Sequence, residues 1–419
     1  MNYKIKEFAK DSIYYAVGLW ISKLSGIILI PILSRIFLPS DYGVIDLLNV
    51  SYALILMFVS LNIDSGVQKF YYLYSDEEKK KLLTSTMAFR FIYSYIVSIV
   101  FISFSKPLSL IMFNSYSYST EIFLLAVALP LEDMNSQLML LLRLNRNAFS
   151  FSIYSVIRAV FQPLVTYLCV VTFSLNIKGV FTAKLITVFL LLIPLLFQLK
   201  SFFVREISFR EAIKIMKYSI PGLPAILQIN TMSIIPRYLL SYYSGLTAVG
   251  LYGCADKVAN SIQMFKSSFN RAWNPFAFSN SGKSDEKYLY EKIFRYLALL
   301  FLMLIAFLSF FAYDIIWLLT PQKYHSAALF VGGICSYYAI GGLTIIFSTG
   351  LYSVDKVAQT SKMNIIQLLV FLVCSKFLIP VYDTIGLILS LDFSVLIYFC
   401  LYGLTVRKYF NFNFSICRI

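Results

Sequence analysis

Charge is what this 419-residue chain has little of: Asp, Glu, Lys and Arg together make up 14% of it, against roughly 25% in a soluble domain. With 59% apolar residues beside that scarcity, a soluble enzyme, a DNA-binding protein and a disordered chain are all excluded. Histidine occurs once, at His325, in what reads as an external loop, and this leaves no histidine-based metal site or catalytic triad. The six cysteines (Cys169, Cys254, Cys335, Cys374, Cys400, Cys417) lack metal-ligand spacing and mostly fall inside apolar stretches, so they read as packing. No Walker A sequence is present, which argues against ATP hydrolysis by this chain. No cofactor and no metal are expected.

What is there is long apolar runs. At 59% of 419 residues and ~20 residues per span, they suffice for about twelve membrane crossings. The first run, Ser12 to Phe37, is too long for a signal-peptide core and lacks a small-residue cleavage site, so it reads as a retained span. Further spans are expected at 43–63, 84–104, 119–142, 152–174, 178–199, 218–241, 247–269, 294–319, 327–350, 363–382 and 384–406. The expected fold class is therefore all-α integral membrane. Residues 1–199 would form an N-terminal lobe, 200–217 a linker and 218–419 a C-terminal lobe.

The net charge of +15 follows the same plan. Basic residues gather in alternate connections, such as Lys79 to Lys81, Arg143 with Arg146, and Lys200 through Lys217. The other connections hold only Arg35, Lys106, Lys178, Lys323 and Lys376. Positive-inside logic puts both termini in the cytoplasm, and attraction to anionic lipid, rather than nucleic acid, accounts for the basic segments. Every external connection is short. The longest, 106–119, has room for a small interfacial turn but not for a folded domain, which favours a transporter over a polymerase or ligase.

An ionisable side chain inside a span costs roughly 2.5–3.5 kcal/mol on insertion scales, so each normally faces water or a partner. Lys23 lies near the middle of span one, Arg237 near the outer end of span seven, and Asp256 with Lys257 in span eight. Arg158 and Lys184 lie about two turns into spans five and six, where snorkelling is the competing reading. Asp256, Asn260, Gln263 and Ser267 recur at helical spacing as one polar stripe. Asp46, Asn49, Ala53, Ser60 and Asp64 are expected to share one face of span two, and Glu132 and Asp133 cluster with Asn135 and Gln137 beside Pro130. Interhelical hydrogen bonding is the alternative explanation of such stripes, but the carboxylates among the amides favour a wet cavity. Asp46, Asp64, Asp256, Glu132 and Asp133 are the candidates for ion coupling.

A weak duplication runs through the chain. Ser34-Arg-Ile-Phe-Leu-Pro-Ser-Asp-Tyr-Gly43 matches Ser241-Tyr-Tyr-Ser-Gly-Leu-Thr-Ala-Val-Gly250 at an offset of 207 residues, the kind of repeat from which transporters are built. At these residues the sequence resembles the Wzx-type polysaccharide-unit flippases of the multidrug/oligosaccharidyl-lipid/polysaccharide exporter superfamily. Leu61-Asn-Ile-Asp-Ser-Gly-Val-Gln-Lys-Phe70 matches the end of that family's second span. Tyr218-Ser-Ile-Pro-Gly-Leu-Pro224, Arg237-Tyr-Leu-Leu, Val249-Gly-Leu-Tyr-Gly-Cys-Ala255 and Phe269-Asn-Arg-Ala-Trp-Asn-Pro-Phe276 follow in its order. Family members often carry Asp before the matched Arg, where this chain has Pro236, so Asp256 is expected to supply the counter-charge to Arg237.

The resemblance implies twelve to fourteen helices in two six-helix lobes around a central cavity. It also implies translocation of undecaprenyl-diphosphate-linked oligosaccharide units, O-antigen or a related surface polysaccharide, across the bacterial inner membrane by alternating access. Lys23, Arg237, Lys257 and Arg158 would then meet the diphosphate, while Asn260 and Gln263 meet the sugars. Membrane lipid, a polysaccharide polymerase and chain-length machinery are the implied partners; nucleic acid is not. The alternatives are a multidrug or cation antiporter of the same superfamily, whose cavity should be rich in carboxylates, a peptidoglycan-precursor flippase with a more cationic cavity, and a membrane glycosyltransferase or polymerase.

Overall fold

Inside a bilayer, backbone N–H and C=O groups have no water to bond with, and a helix satisfies them within one segment. The computed structural model describes residues 14, 18, 20, 21, 25–279, 286–354 and 356–410, and among them no strand occurs. The helices are α1 (Ser25–Ile36), α2 (Pro39–Ser60), α3 (Ile63–Tyr71), α4 (Asp76–Ser103), α5 (Ser105–Phe113), α6 (Ser119–Leu144), α7 (Ala148–Tyr167) and α8 (Asn176–Leu199). They continue as α9 (Phe209–Ser219), α10 (Leu223–Ser279), α11 (Glu286–Phe310), α12 (Ala312–Leu319), α13 (Ala328–Ser353) and α14 (Val357–Phe410). Eight helices among the described residues are long and apolar enough to cross a membrane.

Starts and stops follow local chemistry. The Glu78 carboxylate accepts hydrogen bonds from the Ser75 backbone N–H at 2.9 Å and its hydroxyl at 2.8 Å, closing the first turn of α4. Asn147 caps α7 by accepting from the Ser150 N–H at 3.1 Å. The two longest helices each contain one break. Gly245, at φ 82°, interrupts α10, and Asp383, at φ 50°, interrupts α14. Ser244 Oγ donates to Asp383 Oδ1 at 2.9 Å, so the two breaks are tied together.

By contacts the chain divides into two compact units. The first holds the described residues up to Ile32 together with Leu48–Asn230. There α6 packs between α4 and α8, and Ile63, Leu82, Leu138, Leu142 and Ile215 are buried in one apolar core. The second unit holds Leu33–Leu47 and the described residues from Thr231 onward, with α13 packed against α11 and α14. Within it the first turns of α2 cross α10 at Gly43 and Gly250, the matched glycines of the repeat. A Cβ on Gly43 would collide with the Leu246 carbonyl oxygen, and one on Gly250 with that of Pro39. Pro39 and Leu246, like the two glycines, stand 207 positions apart, so the crossing is locally two-fold. Only glycine lets two backbones approach so closely.

Several expectations need correction. Asp64 does not continue the stripe of span two: α2 ends at Ser60, and Leu61 and Asn62 both take positive φ, 47° and 55°. Asn62 tolerates that conformation and holds it, donating its amide to the Ser219 carbonyl at 3.1 Å. The connection at 106–119, given room for no more than a small interfacial turn, holds most of the nine-residue helix α5. Span eight runs past its expected end at 269 to Ser279, so Arg271 lies on helix rather than beyond it. Span nine is cut at Phe311, between α11 and α12. Lys23 lies outside the described residues.

Candidate functional site

Among the described residues, the densest set of buried charged groups lies in the second unit, where α2, the two halves of α10 and α13 meet. Arg237 stands near the end of the first half of α10 and is 6% exposed. Its Nε donates to Asp46 Oδ2 at 2.6 Å, its Nη2 to Asp256 Oδ2 at 2.7 Å, and its Nη1 to the Ser233 carbonyl at 2.6 Å. Asp46 reaches it because position 253 is glycine: a Cβ there would lie 2.7 Å from Asp46 Oδ2. Asp256 is also held from α13, where Tyr338 donates its hydroxyl at 2.6 Å. Beside it Lys257 donates to Tyr42 Oη at 2.6 Å, with its ammonium 4.5 Å from that ring's centroid.

The chemistry of this set is electrostatic. Two carboxylates and two cations balance, and each buried charge has a partner, as burial in low dielectric demands. A guanidinium carries five N–H donors. Three of Arg237's are directed at protein acceptors. The expected Arg237–Asp256 pair is present, and Asp46 is a second partner that helical spacing did not suggest.

Two further clusters belong to the first unit. Arg90, 1% exposed on α4, is clamped between Asp133 of α6 and Asp64 of α3. Its Nε donates to Asp133 Oδ2 at 3.2 Å, and Gln137 donates to the same oxygen at 3.0 Å. This cluster has one carboxylate in excess. On the other side of α6, Arg158 Nη2 donates to both oxygens of Glu132, at 2.6 and 2.8 Å. Lys184 of α8 lies nearby, donating to Asn49 Oδ1 at 3.3 Å with its ammonium 3.8 Å from the centre of the Tyr52 ring.

The structure thus gathers Asp46, Arg237, Asp256 and Lys257 at one place, Glu132 with Arg158 at another, and Asp64 with Asp133 at a third. Asn260 and Gln263 are half-buried on α10, and Gln263 Oε1 is buried without a hydrogen-bond partner among the described residues. Arg90 was missed by sequence reasoning, yet it had a signal: it is an arginine seven positions into the apolar run 84–104. Tyr42 and Tyr338 had none, being two among 31 tyrosines. Among the described residues no group of His, Cys, Asp and Glu is placed to hold a metal ion.

Comparison with known proteins adds the following. A family model described as "Polysaccharide biosynthesis protein" matches residues 32–329. No curated protein matches the chain by sequence. Among solved structures, the lipid II flippase MurJ in an inward closed conformation is 12% identical, covering 94% of this chain and 87% of its own, with a TM-score of 0.78. An inward-facing multidrug resistance MATE family transporter of the MOP superfamily is 12% identical over 95% of both chains, with a TM-score of 0.68. A Vibrio cholerae MATE transporter is 12% identical over 96% of both, with a TM-score of 0.65. At such identities the likeness is one of fold, and that fold is the MurJ and MATE type.

Proposed function

The chain belongs to the polysaccharide biosynthesis protein family, and from that premise we propose that it is a flippase for undecaprenyl-diphosphate-linked oligosaccharide units, O-antigen or a related surface polysaccharide. It is a multi-pass membrane protein. In this reading it spans the bacterial inner membrane twelve times with both termini in the cytoplasm, and a polysaccharide polymerase and chain-length machinery receive its product.

The supporting observation is the buried charge network on α10. A diphosphate must cross ~30 Å of hydrocarbon, and bare anions are far too costly to dehydrate there. The network keeps ionised donors inside the span at no further cost of burial. Two N–H groups of Arg237 and two of Lys257 remain for a phosphate, beyond those already bonded to protein. In the same reading Lys23 and Arg158 add cationic donors, and Asn260 and Gln263 meet sugar hydroxyls. Asp46, Asp64, Asp256, Glu132 and Asp133 are the groups whose protonation or ion binding would drive alternating access.

The test is reconstitution of the purified chain in liposomes carrying a fluorescent undecaprenyl-diphosphate oligosaccharide. Units should become accessible to an impermeant quencher from the far leaflet, and Arg237→Ala should abolish this. Equal exposure with and without the protein would overturn the proposal. A second reading, a cation or drug antiporter, draws on the excess carboxylate around Arg90. It requires that a lipophilic cation move in exchange for protons in the same liposomes while the lipid-linked unit does not.

A further inference from the structure

The turn between α12 and α13 forms a pocket of about 400 Å³ lined by Tyr313, Trp317, Thr320, Pro321, Gln322 and His325, within the ~300–1,000 Å³ range of small-molecule sites. We propose that this pocket binds a neutral, hydroxyl-rich saccharide, with Trp317 and Tyr313 as stacking platforms. The choice of ligand rests on the reading of the cargo as a saccharide unit.

Three features carry the inference. The first is a pair of aromatic rings on one helix face. Tyr313 and Trp317 are four residues apart on α12, so they point the same way, and they are 58% and 61% exposed. Ala312 and Ile316 bury the opposite face of the helix. The second is a fixed polar wall. Thr320 Oγ donates to the Ile316 carbonyl at 2.7 Å, and Tyr324, wholly buried in the short 3₁₀ turn Gln322–Ala327, donates its hydroxyl to the Phe37 carbonyl at 3.1 Å. His325 Nε2 lies 3.3 Å from the Thr320 carbonyl. A carbonyl can only accept, so this contact calls for a proton on Nε2. The imidazole and Tyr313 rings meet in an edge-to-face arrangement, with centroids 5.7 Å apart at 72°.

The third feature is the lack of charge. No Asp, Glu, Lys or Arg lines the pocket, which does not suit a phosphate. A pyranose offers a C–H face for a ring to stack on, and hydroxyls that both donate and accept. Those hydroxyls match the exposed Gln322 amide and the half-buried His325 imidazole. A pair of aromatics that merely anchors the protein at a membrane surface would need the two rings but not an amide and an imidazole lining the same pocket.

The test is saturation-transfer NMR on the full chain in detergent micelles, with maltotriose, cellotriose and tri-N-acetylchitotriose as probes. Transfer to sugar ring C–H protons is expected for at least one of the three. Apparent affinity should fall about tenfold, ~1.4 kcal/mol, in Trp317→Ala and in Tyr313→Ala, and stay unchanged in Trp20→Phe. Both rings are exposed, and Gln322→Ala gives an independent check that leaves the aromatic faces intact. Transfer to none of the three sugars, or equal transfer in the Trp317→Ala protein, overturns the proposal. So does quenching of fluorescence by brominated lipid that disappears in Trp317→Phe, because it assigns the ring to the bilayer. Binding is read here without transport. A chain that binds sugar at Trp317 yet moves no lipid-linked unit therefore refutes the flippase reading and leaves this site standing.

Discussion

Arg237 is shared between Asp46 and Asp256, and this changes what substitutions there should do. Arg237→Ala leaves two carboxylates buried without their cation, and breaking such a set costs about 3–5 kcal/mol. The melting temperature in detergent should fall sharply, and adding Asp46→Asn and Asp256→Asn should recover part of the loss. A native melting temperature in the single variant would show that water already solvates the site. Exchanging Arg237 and Asp256 places a new carboxylate beside Asp46. The exchange alone should therefore restore less stability and transport than the exchange combined with Asp46→Asn. At Gly43 the obstacle is backbone, the Leu246 carbonyl, which cannot swing aside as a side-chain tip can. Gly43→Ala and Gly250→Ala should each cost about 1–3 kcal/mol by overpacking, measured by thermal unfolding. Gly26, whose added Cβ would meet nothing within 4 Å, serves as the control and should tolerate alanine.

At the scale of helices, most of the fold was legible because apolar runs of span length have one solution in a bilayer. The expected gaps at 242–246 and at 383 contain the observed breaks at Gly245 and Asp383. What was illegible is instructive. Helical spacing placed Asp46 and Asp64 on one stripe, but periodicity counts residues and does not see two consecutive positive φ values at Leu61 and Asn62. Nor can it say which neighbour a face meets: Asp46 and Arg237 are 191 positions apart. Arg90 escaped because a lone arginine in an apolar run carries no spacing pattern at all. Asp383 offers a test at this scale. Its φ of 50° and its bond to Ser244 suit Asp better than any β-branched residue. Asp383→Val should cost roughly 1–3 kcal/mol through strain at that position, whereas Asp383→Gly should stay within about 1 kcal/mol of native, trading the lost hydrogen bond against relieved strain. Equal unfolding temperatures for the two variants would show that the backbone there is not constrained.

For the molecule as a whole, the division into units does not follow chain order. Leu33–Leu47 belongs with the residues after Thr231, and it carries Asp46 and Tyr42, the partners of Arg237 and Lys257. Cutting the chain in the segment around Val204 to Ile207, between α8 and α9, should therefore give a carboxyl-terminal fragment that is poorly stable alone. Co-expression with the amino-terminal fragment should rescue it, as judged by protease resistance in membranes. Full resistance of the lone fragment would mean that the borrowed segment contributes little.

The meeting of Gly43 with Gly250 also bears on inheritance. Each glycine lies against the backbone of the other's segment, so neither place accepts a larger residue while the opposite segment stays where it is. A recombinant gene that takes its first fifty codons from a distant relative bearing a bulkier residue at the matching place should yield an inviable product, however well each parental half folds in its own context.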